Sequence, residues 1–222
     1  MSKHSFVIGA FFAALLATSS VSKAATISAY YSIDGGSLTQ VTDLDSDGDG
    51  LFAKFNTGGF NTRIEASVPP GSLSLLQSNV VSSHTGVAST LRVFFLSTGN
   101  EPAGSQTFLS GFTGNVGSAT GTLATYYGNS SLASPFTSGA NAISSTNYTG
   151  LFATSFLQSV VVPSDFSLLA VYTINATGGV DTNTTVNISA VPGPIVGAGL
   201  PGLMMACAGL LALARRRRKA AV

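Results

Sequence analysis

Residues 195–214 form a run of 20 without a charged side chain, closed by Arg215, Arg216, Arg217, Arg218 and Lys219. As an α-helix such a run is about 30 Å long, the thickness of a bilayer's hydrocarbon core. A helix packed on a soluble domain keeps a polar face, and this run has none. The run is therefore set apart from any folded core and read as a transmembrane helix. The basic cluster after it holds residues 215–222 on the cytoplasmic side and the rest of the chain on the other. Gly197, Gly199, Pro201, Gly202 and Gly209 are poor helix formers. Lipid nevertheless forces the backbone to satisfy its hydrogen bonds internally, which leaves a helix with a weak point near Pro201.

The opposite end agrees. Lys3 and His4 precede an apolar stretch, residues 6–17, that is too short to span comfortably. Ser22-Lys23-Ala24 then places small residues where signal peptidase reads them, with cleavage between Ala24 and Ala25. Residues 1–24 read as a secretory signal peptide. Residues 25–190 are left as one extracytoplasmic domain, long enough to bury a core.

Subtracting the two ends changes the charge. The body keeps three basic residues, Lys54, Arg63 and Arg92, against all nine acidic ones, a formal charge of −6. That excludes a nucleic-acid-binding face and docking of the body on anionic lipid. The single cysteine, Cys207, lies in the apolar run, so the body folds without disulfides.

Within the body, short apolar or alternating segments recur between turn residues, and helix formers are sparse. Residues 26–33 lead into Asp34-Gly35-Gly36, a hairpin signal. Residues 51–55 and 60–66 flank Thr57-Gly58-Gly59, and Pro69-Pro70-Gly71 breaks the chain. Further strands are expected at 91–96, 107–112, 121–127, 152–162, 166–174 and 184–188. Residues 73–81 and 156–162 fit short helical turns equally well, and 128–145 reads as a long Ser/Gly loop. Turn signals every 8 to 12 residues or so predict a mainly β body, an antiparallel β-sandwich of jelly-roll-like or Ig-like type. Phe112-Thr113-Gly114-Asn115 is echoed weakly by Tyr148-Thr149-Gly150-Leu151, which reads as shared turn chemistry rather than duplication.

The junction of body and apolar run is more specific. Val191-Pro192-Gly193-Pro194, the run Gly197-Ala198-Gly199-Leu200-Pro201-Gly202-Leu203 and the closing basic cluster stand in fixed order. Residues 191 to about 219 closely resemble the PEP-CTERM sorting domain, in a Val-Pro-Gly-Pro variant of its usual Pro-Glu-Pro motif. The resemblance implies handling by an exosortase, an integral-membrane cysteine protease or transpeptidase. That enzyme would cut near Val191, Pro192, Gly193 and Pro194 and deliver the body to the surface of a Gram-negative bacterium that makes exopolysaccharide and biofilm.

Chemistry is harder to find in the body. Asp43-Leu44-Asp45-Ser46-Asp47-Gly48-Asp49-Gly50 alternates carboxylates ahead of a glycine, as a calcium loop requires. The better frame uses Asp45, Asp47 and Asp49, but its twelfth position is Asn56 instead of a bidentate Glu. A lone weak calcium loop and a solvated acidic β-loop are both open, and the second fits the missing ligand better. His84, beside Ser82, Ser83 and Thr85, reads as a surface loop histidine rather than a triad member. Glu65 and Glu101 read as surface charges rather than a glycosidase pair. No nucleotide or zinc motif occurs, so no enzyme and no cofactor beyond weakly bound calcium is expected. Tryptophan is absent, which weakens a sugar platform. Tyr30-Tyr31 and Tyr126-Tyr127 could substitute, although such pairs on strands usually point one residue in and one out. Five Asn-x-Ser/Thr matches, at Asn129, Asn147, Asn175, Asn183 and Asn187, fit a polar β surface.

The sequence thus describes an exported cell-surface or matrix protein with a structural or interaction role. Its partners would be signal peptidase, an exosortase and extracellular polysaccharide. A secreted polysaccharide- or calcium-binding module is the alternative, and a surface hydrolase fits less well.

Overall fold

The computed structural model describes residues 25–44, 50–68, 74–101, 103–129 and 140–191. The signal segment up to Ala24, Asp45, Asp47 and Asp49, Pro192 to Pro194, the apolar run and the basic cluster Arg215, Arg216, Arg217, Arg218 and Lys219 lie outside the described residues.

Ten strands make up the described chain. They are β1 (Thr26–Ile33), β2 (Thr39–Val41), β3 (Leu51–Thr57), β4 (Phe60–Ser67), β5 (Ser74–His84), β6 (Ser89–Asn100), β7 (Gly104–Gly128), β8 (Asn141–Val162), β9 (Phe166–Ala176) and β10 (Val180–Val191). All pair antiparallel, in the order β2-β1-β6-β9-β7-β10-β5-β4-β3, with β8 on β7. The ambiguous segment 73–81 is strand from Ser74 onward, and so is 156–162. Apolar and polar side chains there alternate between the two faces, and ladders on both sides of β5 decide what local propensity leaves open. The long loop expected at 128–145 ends earlier, because β8 begins at Asn141.

Two expected strands, 107–112 and 121–127, are one. β7 bends between them and changes partner: residues 107–115 ladder with β10, residues 120–128 with β9. The bend is a register shift in the β7–β8 hairpin, where residues 116–119 of β7 face only Gly150 between Leu151 and Thr149. Gly117 and Gly150 both hold positive φ there, 53° and 59°, a conformation that glycine adopts without a Cβ penalty. The Asn115 side chain accepts the Gly117 N–H at 3.1 Å. The echoed motifs fall on the two strands of this one corner.

The corner folds a single sheet onto itself. The first half-sheet is β2-β1-β6-β9 with the end of β7 and the start of β8. The second is β3-β4-β5-β10 with the remainder of β7 and β8. Inward side chains of both halves form one core, including Leu91, Val93, Phe95, Phe108, Phe112, Leu168, Val186 and Ile188. Tyr31 of β1 stacks on Phe55 of β3 at 4.2 Å between centroids. Tyr172 of β9 crosses the gap. Its hydroxyl donates to the Ser78 carbonyl at 2.8 Å and accepts the Val186 N–H at 2.9 Å. A fully buried hydroxyl with these partners is satisfied, and it bolts the two halves together.

The interior is also unusually hydroxylic. Thr62 bonds Ser82 at 2.8 Å, while Thr125 bonds Ser110 at 3.0 Å and Ser144 at 2.7 Å, all buried. Pairing each hydroxyl with another removes the desolvation cost that would otherwise forbid them there.

Candidate functional site

Strand alternation sends one residue of each tyrosine pair inward. Tyr31 and Tyr127 join the core, while Tyr30 and Tyr126 lie on the outer face of the first half-sheet. That face does not carry the polar surface expected of a solvated sheet. Leu96 and Leu169 are buried on it, packed with Tyr30, Phe94, Tyr126, Val171, Leu38 and Ala140. The register explains the grouping. Tyr30 pairs with Phe94, Phe94 with Val171, Leu96 with Leu169, and Leu169 with Tyr126. Three half-buried aromatic rings therefore share one patch across four strands.

The adjacent rows are polar. Arg92, exposed, sits opposite Ser32 and Thr173, and Thr173 opposite Thr122. Beyond them Thr90 donates to the Asn175 side-chain oxygen at 3.0 Å, and Thr122 to that of Asn147 at 3.0 Å. With their oxygens engaged, both amides keep N–H groups as donors. Asn147 and Asn175 help line a shallow hollow of about 320 Å³, together with Thr120, Gly121, Thr122, Tyr148 and Thr149. Two of the Asn-x-Ser/Thr matches thus edge a hollow, and Asn183 stands exposed on the other half-sheet.

Gly121 shapes this hollow. The Tyr148 ring stacks on Phe152 and reaches past Gly121 to donate its hydroxyl to the Thr173 carbonyl. An added Cβ at Gly121 would collide with both the Thr173 carbonyl oxygen and the Tyr148 hydroxyl. An aromatic ring over a glycine in a neighbouring strand is a recurrent way to stiffen such a position. Burial pushes the Tyr148 phenol well above its ordinary range, and Tyr172 likewise, where burial outweighs the lowering by its bonds to Ser78 and Val186. Both therefore remain proton donors at any physiological pH.

Other candidates are placed differently. His84 is not a loop residue. It ends β5 and is 2% exposed, with Phe60 tilted over it at 4.4 Å. The Gly178 carbonyl, 2.8 Å away, can only accept, so Nδ1 carries a proton. The polar neighbours that made His84 look exposed alternate with it: Ser82 is buried and bonded, and Ser83 faces outward. Glu65 lies on the second half-sheet, ion-paired with Arg63, whereas Glu101 follows β6 of the first. The structure does not bring them together as a pair. Asp43, at the edge of the acidic loop, accepts the Phe52 N–H at 3.0 Å. Among the described residues no group of three His, Cys, Asp or Glu could hold a metal ion. Val191 ends β10 opposite Thr107, so the strand runs into the first residue of the Val191-Pro192-Gly193-Pro194 segment. Among the described residues no helix is long and apolar enough to cross a membrane.

The sequence pointed to Tyr30 and Tyr126 but not to Phe94 or Arg92. The signal was present in residues 91–96, where every residue but Arg92 is apolar. A strand of that kind is buried on both faces.

No family model matches this chain, and no curated protein matches it. Among solved structures, the enzymatically active domain of tailspike protein 4 from bacteriophage CBA120 is similar at a TM-score of 0.38 and 14% identity. That match covers 65% of this chain, which spans only 20% of the tailspike. TmCBM61 in complex with β-1,4-galactotriose is similar at 0.34 and 9% identity, over 61% of this chain and 90% of that one. A promiscuous carbohydrate-binding module from the β-sandwich superfamily also scores 0.34, at 10% identity, over 76% and 86%. Values this low leave the case for any ligand to the chain's own residues.

Proposed function

We propose that the body is an exported surface or matrix domain that binds a neutral polysaccharide along the outer face of its first half-sheet. One observation carries the reading: Tyr30, Phe94 and Tyr126 are grouped on that face beside a row of donors that includes Arg92, Asn147 and Asn175. A pyranose ring presents C–H groups on its faces and hydroxyls on its rim. The C–H groups pack on the negative faces of aromatic rings, while amides and a guanidinium meet the hydroxyls. The formal charge of −6 repels an anionic polymer, so Arg92 serves as a donor to hydroxyls rather than as the anchor of a polyanion.

Affinity electrophoresis of the full chain in nonionic detergent, through gels holding different neutral polysaccharides, tests this. At least one polymer should retard the protein, and Arg92→Ala should weaken that retardation about tenfold, the worth of one good charge-assisted contact. Equal mobility of Arg92→Ala and the parent on every retarding polymer would remove the face from consideration.

Delivery follows from the tail. In this reading the exosortase cuts near Val191, Pro192, Gly193 and Pro194, and the helix anchor is temporary. Coexpression with an exosortase should lower the mass of the product by that of the segment beyond the cut. An intact tail in the exosortase-bearing host would leave a plain membrane anchor.

A further inference from the structure

Among the described residues β8 pairs with β7 alone, so one side of the strand offers backbone N–H and C=O groups that no ladder uses. Folded proteins blunt such edges with charge, proline, bulges or brevity. The other two edges obey: β2 has three residues, and β3 carries Lys54. β8 does not. Its 22 residues include no charged side chain and no proline. Beyond the corner at Gly150, residues 151–162 run against 104–115 without a register shift. Leu151, Leu157 and Val161 are 84%, 63% and 74% exposed there.

We infer that this edge joins a second copy of the chain, antiparallel, about a two-fold axis at Phe156. The register selects the occupant. Centred on Phe156, the pairing sets Leu151 against Val161 and Phe152 against Val160 of the other copy, and Phe156 against its own mate. Leu151, Phe152, Phe156, Val160 and Val161 each meet an apolar side chain of the other copy, while Leu157 meets Ser155, and the pattern repeats about the axis as an isologous interface requires. Charge does not bar this contact. Two bodies of −6 repel over most of their surface, and the uncharged edge lets them meet without opposing carboxylates. The second half-sheets of the two copies then become one continuous sheet, held by main-chain hydrogen bonds.

Sedimentation of the full chain in nonionic detergent tests the pairing, since the tail is common to every variant. The parent should form dimers, and added salt should strengthen them by screening the like charges. Leu151→Lys and Val161→Glu, at exposed positions, should each weaken association about tenfold by setting a charge against an apolar side chain. The double variant should return to near the parent affinity, because each introduced ammonium then meets an introduced carboxylate across the axis. A monomeric parent at the highest attainable concentration would overturn the proposal. So would single variants that associate like the parent, or a double variant weaker than either single one.

Discussion

The two outer faces of this sheet are built from similar strands and differ sharply. On the second half-sheet, Asn79 lies between Arg63- and Glu65-bearing β4 and the Asn183 and Thr185 positions of β10. It donates to both Asn183 and Thr185 at 2.9 Å. Gln77, Thr113 and Asn115 continue the same polar face. On the first half-sheet the equivalent positions hold Phe94, Leu96, Leu169, Val171 and Tyr126. The contrast shows that alternation alone does not set which side of a strand is wet. The first half-sheet has apolar material on both sides, so it has a second small core as well as a surface, and it groups three aromatic rings beside donors, where the second outer face sets Phe52 under Lys54 and Arg63.

The largest effect that could break this comparison concerns the small core. Leu169 is fully buried, and Leu169→Ala should cost about 2–5 kcal/mol of unfolding free energy in a urea titration. Thr185→Ala, on the opposite outer face, should stay within about 1 kcal/mol. Equal losses would mean that the first outer face is ordinary surface. Next in size is the bolt between the halves. Tyr172→Phe should cost about 1–3 kcal/mol, since it orphans the buried Val186 N–H. The same residue predicts an alkaline limit. Its folded pKa is raised, as is that of Tyr148, so the stability they contribute is fully present below the unfolded tyrosine value of about 10. It is lost as pH rises beyond that value, because only the unfolded chain can then release the protons. A Tyr148→Phe, Tyr172→Phe double variant should lose less stability than the parent between neutral pH and pH ~11. The smallest effect belongs to Asn79→Ala, which should leave polysaccharide retardation unchanged where Arg92→Ala reduces it.

Much of the fold was legible locally. Thr57-Gly58-Gly59 is the turn of the β3–β4 hairpin, with φ of 56° and 79° at its two glycines, and residues 26–33 are β1 as expected. The strand order was not legible, because β1 pairs with β6 and β5 with β10 across long separations that no local pattern encodes. Phe112-Thr113-Gly114-Asn115 looked like a turn after one strand, and Gly121 like the start of the next. They instead let one strand bend and accept a ring from its neighbour. His84 was misplaced because polar neighbours usually mean solvent, whereas here Ser78 and Ser82 face an interior that pairs hydroxyls with hydroxyls. The aromatic outer face was half legible: the tyrosine pairs announced outward rings, but their union with Phe94 depends on pairings that only the folded sheet makes.

β10 is laddered to β7 as far as its last residue, Val191, and to β5 as far as Ser189. A pull applied at Val191 along the strand therefore loads two ladders in shear, and their hydrogen bonds must fail together rather than one by one. The first half-sheet lies on the far side of the core, so if it grips a glycan as proposed, tension between that glycan and Val191 would run through Tyr172 and the buried aromatic rings. The strand that leads out of the domain is thus one held by ladders on both sides along most of its length.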